Sequence, residues 1–273
     1  MRIAISNIAW RSDEEPAVRG LLAERGIDAV EIAPSMVGPK PAELGAAPLA
    51  LYRDFWRERG IEIVAMQALL FGRGDLALFG SDAQRDELFE YLARIVRVGG
   101  ALGARALVFG SPGNRKRGAL SLERAAEVAA PLFWRIGGVA VESGSCLCIE
   151  PVPPEYGCDW IHSAAQARAF VDLVAHPGFG LHIDAAALQM AGEDASQIRA
   201  SAGKLRHFHA SQPQLAPVGP GSVVPHQEFA DTLRACGGVP AVSIEMRQVE
   251  QVASNLPHVE RALDYVQRVY GGA

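Results

Sequence analysis

The chain has 273 residues, of which 49% are hydrophobic and 21% charged, with a formal net charge of −5 at pH 7. That length accommodates one large α/β barrel with an ample core, although two ordinary domains would also fit. The acidic balance supplies no basic footprint for nucleic acid, and no run of about 18 apolar residues is available to span a membrane.

A strand begins almost at once, with Ile3, Ala4 and Ile5, and no charged leader or apolar signal core precedes it. The four cysteines, Cys146, Cys148, Cys158 and Cys236, lack any CxxC spacing and read as reduced thiols. A cytoplasmic protein is the expectation.

Eight strand candidates follow one another, beginning near Arg2, Ile27, Ile61, Ala104, Cys146, Phe179, Leu205 and Ala241. Amphipathic helical stretches separate them, several with start signals. Ser12 and Glu15 read as a capping box before VRGLLAERG. Ser81 precedes a segment in which Leu88, Leu92, Ile95 and Val96 recur at helical spacing. Ser121 leads a long helix in which Pro131 marks a kink or break. Ser163 and Asn255 lead two more, and His226 opens a helix at the surface. Strands alternating with helices imply parallel βαβ units, and eight of them make a (β/α)8 TIM barrel, read as a single domain over residues 1–273. Two loops at the C-terminal ends of strands are long, Phe71–Gly80 and Ser211–Pro225, as substrate-contacting loops tend to be.

Four donors occupy matched places in successive strands: Glu150 in CLCIEP, Asp184 in FGLHIDA, His209 in RHFHAS and Glu245 in AVSIEMR. Alternation along a strand puts Cys146, Cys148 and Glu150 on one face, and likewise pairs His182 with Asp184, His207 with His209 and Ser243 with Glu245. The opposite faces are apolar, so the donors point into the barrel and gather at its C-terminal mouth, where such barrels place their active sites. Three carboxylates and one imidazole suit Mn²⁺, Mg²⁺ or Co²⁺ in an open site, with Zn²⁺ also possible. Burying those carboxylates together without a cation would be costly. A cation there would polarise a carbonyl, while Glu150 and Glu245, on strands with two others between them, remove a proton and return it.

These residues resemble the xylose isomerase-like TIM-barrel family, which includes ketose 3-epimerases, inosose dehydratases and endonuclease IV. The resemblance covers essentially the whole chain and is most specific at IEP (Glu150), HID (Asp184), HFH (His209) and SIEM (Glu245). It implies that these four are metal ligands, with Glu150 and Glu245 also catalytic. SNIAW, MQALLFG, VFGSPGNR and PPEYGCDWI are similar to a subgroup described only as sugar phosphate isomerase/epimerase-like. The sugar-binding set of the ketose epimerases is not matched: Ala187 stands where they carry His, Tyr156 where they carry an acid, and the strand-seven loop lacks their Arg. Endonuclease IV needs additional histidines, and the corresponding places hold Gln67, Phe109 or Gly110, and Ala187.

The expected activity is therefore metal-dependent isomerisation or epimerisation of a sugar or sugar derivative, phosphorylated or nucleotide-linked if the cations at the mouth bind phosphate. The alternatives are a dehydratase acting through the same enolate, or a barrel that binds metal and sugar without turnover. Asn7, Gln67, His182, Arg247 and Arg115 of NRKR are expected at the substrate, with His207 and Glu31 supporting the ligands from behind. Trp134 reads as core or as the contact of a homo-oligomer.

Overall fold

The computed structural model describes residues 1–272. Its eight strands are β1 (Arg2–Ile5), β2 (Ala29–Ile32), β3 (Glu62–Met66), β4 (Ala106–Phe109), β5 (Cys146–Ile149), β6 (Phe179–Asp184), β7 (Leu205–Ser211) and β8 (Ala241–Glu245). All pair in parallel in the order β1-β8-β7-β6-β5-β4-β3-β2. Between β1 and β2 a single bridge, Ser6 to Glu31, closes the ring. Side chains reinforce that seam. At the strand starts Arg2 reaches Asp28 at 3.0 Å and Glu62 at 2.8 Å. At the strand ends Asn7 Oδ1 accepts from the Ala33 N–H at 2.7 Å.

The helices are α1 (Glu15–Glu24), α2 (Pro34–Val37), α3 (Ala46–Arg57), α4 (Asp82–Leu102), α5 (Leu122–Glu142), α6 (Ala164–Val174), α7 (Ala185–Met190), α8 (Ala195–Ser201), α9 (His226–Ala235) and α10 (Leu256–Tyr270). None is long and apolar enough to cross a membrane among the described residues. The helices cover the outward apolar faces of the strands. Phe109, Phe133, Phe170 and Phe179 interlock there, with ring centroids 5.0–5.7 Å apart. Gly178 is needed for α5 to approach, because a Cβ there would run into the Gly137 carbonyl.

Ser81, Ser121 and Ser163 cap α4, α5 and α6, accepting from backbone N–H groups at 3.3, 3.1 and 3.2 Å. Four expectations are corrected. The box before α1 is made by Glu14, whose carboxylate accepts from the Arg11 N–H at 3.0 Å, because a 3₁₀ turn over Ser12–Glu14 delays the helix. Helix α5 runs unbroken through Pro131, which lies on the exposed side, where water can solvate the freed Glu127 carbonyl. Asn255 does not cap α10; its Oδ1 accepts from the Val249 N–H at 2.7 Å. His226 is buried and bonds the Tyr270 hydroxyl at 2.8 Å.

Candidate metal centre at the barrel mouth

Each of the four strand-end donors is aimed by the strand that carries it. Apolar residues of β5, β6, β7 and β8 face the helices, which forces the alternate positions into the lumen. Register sets their depth. Asp184 pairs with His209, and His209 with Ser243, so Glu245 stands one step beyond Ser243. Glu150, Asp184, His209 and Glu245 thereby converge, with one donor atom from each lying within 4.8 Å of the others. Glu150 and Glu245 keep side-chain exposures of 16% and 12%, whereas His209 is at 1%, so the two glutamates face the open side.

The centre opens into a cavity of about 350 Å³ whose walls include Gln67, Tyr156, Ala187, Gln212, Gln214 and Arg247. Among the described lining residues Arg247 is the one cation. A larger cavity, about 480 Å³, lies at the strand starts; it is lined by Arg2, Arg105 and Arg206 and holds none of the four donors.

The charges do not balance without a cation. Burial, then Glu245 and Asp184, push the Glu150 carboxyl up to about 8. Burial and Glu245 raise Asp184 to about 6. Burial would depress His209, but Glu31 and then Glu245 hold it well above the ordinary histidine value. Asp184 Oδ2 and His209 Nδ1 are buried and lack a hydrogen-bond partner, although Glu245 Oε2 approaches that nitrogen at 3.2 Å. Asp184 Oδ1 accepts from the Ala187 N–H at 2.7 Å, which fixes the carboxylate and leaves Oδ2 directed inward. Orphaned donors, mutual repulsion and an oxygen-rich set with one imidazole fit a divalent cation.

Behind the centre, Glu31 is fully buried and its oxygens lie 3.0 and 3.1 Å from His209 Nε2. A carboxylate on Nε2 turns Nδ1 toward Glu245 and the other carboxylates. His207 Nε2 lies 3.3 Å from Glu31. His182 is deeper, fully buried, and does not line the cavity.

The expected substrate contacts divide. Gln67 and Arg247 line the cavity. Asn7 does not, since it joins Ala33 to the Tyr52 hydroxyl. The cations of NRKR are not gathered at the mouth, which corrects the reading of Arg115. That residue is fully buried and donates to the Glu150 carbonyl oxygen at 2.7 Å. Arg117 is turned away to bond the Asp159 carbonyl oxygen at 2.8 Å. Sequence reasoning singles out the Ser211–Pro225 loop and the position of Tyr156 but assigns no substrate contact to Gln212, Gln214 or Tyr156. All three line the cavity, and the Tyr156 hydroxyl accepts from the Gln214 N–H at 2.8 Å. Sequence reasoning also missed the left-handed Ala68 (φ 54°) and Ser111 (φ 39°) in the cavity wall. Strained backbone gathers at functional sites, but nothing in these residue types signals it.

Fold and centre together define a class: a parallel (β/α)8 barrel with three carboxylates and an imidazole at its C-terminal mouth. The model of the xylose isomerase-like TIM barrel family matches residues 20–268, and the chain belongs to that family. Among solved structures it resembles D-psicose 3-epimerase from Clostridium cellulolyticum H10 with D-tagatose, at TM-score 0.80 and 16% identity over 100% of both chains. It also resembles 3-keto-D-glucoside 4-epimerase from E. coli, at TM-score 0.79 and 15% identity over 98% of this chain and 99% of that one. A third likeness is to the IOLI protein with a bound zinc atom, at TM-score 0.75 and 16% identity over 100% of both. At such identities the likeness is one of fold. No curated protein sequence matches the chain.

Proposed function

We propose that this chain is a divalent-metal-dependent isomerase or epimerase of a sugar or sugar derivative. The observation that carries the reading is the convergence of Glu150, Asp184, His209 and Glu245 within 4.8 Å beside a cavity of sugar size. The sugar epimerases among its structural likenesses support the same class.

These four residues would hold the ion, with Mn²⁺, Mg²⁺ or Co²⁺ favoured by the oxygen-rich set. A bound dication supplies positive charge beside the substrate's carbonyl, stabilising the negative charge that develops when the neighbouring carbon loses a proton. The proton transfers fall to this chain's own side chains. Glu245 and Glu150 stand on strands separated by β6 and β7 and keep their carboxylates toward the cavity. One takes the proton and the other returns it, which lets the proton leave one face of the carbon and arrive on the opposite face. Asp184 is anchored by the Ala187 amide and serves as a ligand. Gln67, Gln212 and Tyr156 offer hydrogen bonds to hydroxyls. Arg247 is placed to bind an anionic substituent at the rim.

Exchange of substrate hydrogen with D₂O, measured over a panel of ketoses with saturating Mn²⁺, tests this. Glu245→Gln should abolish exchange even with excess metal, because an amide cannot accept the proton. Asp184→Asn should recover part of it. Equal rescue of both variants would make Glu245 a ligand alone, and release of water in place of exchange would redirect the reading to a lyase. For Arg247→Ala, we expect KM to rise at least tenfold for a phosphorylated substrate and little for the free sugar; equal effects would exclude phosphate recognition by this residue.

A further inference from the structure

Below the carboxylates lies a second group of donors that the proposed proton transfers do not use. Barrel interiors of this kind are ordinarily filled by layers of branched apolar side chains. Here one side of the lumen carries the small residues Ala65, Ala106 and Cys148. The other carries His182, His207 and His209, each offering a ring nitrogen within 4.8 Å of the others. Glu31 enters from β2, its oxygens 3.3 Å from His207 Nε2 and 3.0 Å from His209 Nε2. The strand register produces this stacking, since His182 pairs with His207 directly beneath the Asp184–His209 pair.

The side chains of Glu31 and His182 are at 0% exposure, His209 at 1% and His207 at 2%. Both ring nitrogens of His182 are without a hydrogen-bond partner, and so is the Oγ of Ser243, which pairs in register with His209. Folding does not ordinarily leave such buried groups without a protein partner. An aliphatic side chain at position 182 would fill the space without that loss. Glu31 accounts for His209, but His207 Nε2 only approaches it at 3.3 Å without a hydrogen bond, and His182 Nε2 comes no nearer than 4.0 Å to Glu150.

We propose that His182, His207 and His209, with Glu31 beside them, form a second cation site inside the barrel, one layer beneath the mouth. Three imidazoles and a carboxylate are the nitrogen-rich set that suits four-coordinate zinc or cobalt(II), in contrast to the carboxylate-rich set above. Closing on an ion at about 2.0–2.1 Å draws the rings inward from their present spacing. His209 belongs to both groups. Its Nδ1 faces Glu245 and its Nε2 faces Glu31, so with both ions bound the ring would be an imidazolate, its remaining proton released to solvent, with one nitrogen on each ion.

The test is metal stoichiometry with cobalt(II) on the chelator-stripped full chain, read by elemental analysis and by the visible spectrum. Two equivalents should bind, one of them with the intense absorption of four-coordinate cobalt. His182→Gln and His207→Gln should each lose that absorption and one equivalent. The double variant Asp184→Asn/Glu245→Gln should keep it and lose the other. A wild-type chain that saturates at one equivalent, retained in His182→Gln, overturns the proposal. A second equivalent indifferent to both histidine substitutions also overturns it. One equivalent lost in His182→Gln but kept in the double variant upholds the lower site and rejects the one at the mouth. No uptake rejects both. Circular dichroism identifies any variant that has failed to fold, and the folded member of the His182→Gln and His207→Gln pair then decides which site holds each equivalent.

Discussion

For the proposed cation, Glu150 and its neighbours would make affinity a function of pH. In the cation-free chain at pH 7, a carboxyl raised to about 8 is mostly protonated. An incoming ion must displace that proton. Calorimetric titration with Mn²⁺ at pH 7 in buffers of different ionisation heat should therefore show release of about one proton or more per ion. Affinity should climb with pH toward 8 and then level off. Binding without proton release would show that Glu150 is already ionised in the cation-free chain. Gly110 provides a second check, because a Cβ there would overlap Glu150 Oε2. Gly110→Ala should leave thermal stability within about 1 kcal/mol, since only the end of a side chain must move, while turnover falls at least tenfold. The four donors were legible because each ends an apolar alternation, a pattern that specifies which way a side chain points. Arg115 was misread because a run of like charges does not reveal burial. Tyr156, Gln212 and Gln214 were silent because loop residues have no period from which to infer a direction.

Among the elements, the caps on α4, α5 and α6 were legible from serine placement, while Glu14 was missed because its partners other than Arg11 lie far along the chain. Its carboxylate accepts from Ser254 Oγ at 2.8 Å and from the Asn255 N–H at 2.7 Å, tying the loop before α1 to the start of α10. Burial would raise this carboxyl, but the backbone amides of Arg11 and Asn255 bring it down to about 2, against an ordinary 4.5. A depressed folded value stabilises the fold above pH 4.5, and that contribution is lost as pH falls from 4.5 through 2. Glu14→Gln should lower stability by about 1–3 kcal/mol at pH 7 and by much less near pH 2; an equal loss at both would reject the charged network. Pro131 carries the opposite expectation. The helix tolerates it at the cost of one hydrogen bond, so Pro131→Ala should raise stability by about 1–3 kcal/mol in denaturant unfolding.

For the whole molecule, the count of eight strand–helix units announced the barrel, but nothing in one strand's residues states how tightly it pairs with the next. Closure is uneven. Registers of three to four paired positions join β5 through β8 and β1 to β8, whereas β1 and β2 share the Ser6–Glu31 bridge alone. Amide hydrogen exchange should accordingly begin in β1 and β2, and Arg2→Ala should accelerate it there while sparing β6 and β7; uniform exchange around the ring would count against an uneven closure. A ring opens at its weakest link, and this one would open into a sheet bounded by β1 and β2. Such a sheet presents two bare edges, with backbone groups free to template a neighbouring copy. Self-association under mild denaturation would then begin at the joint beside Glu31, and an ion holding the lumen together from within would act as a guard against aggregation.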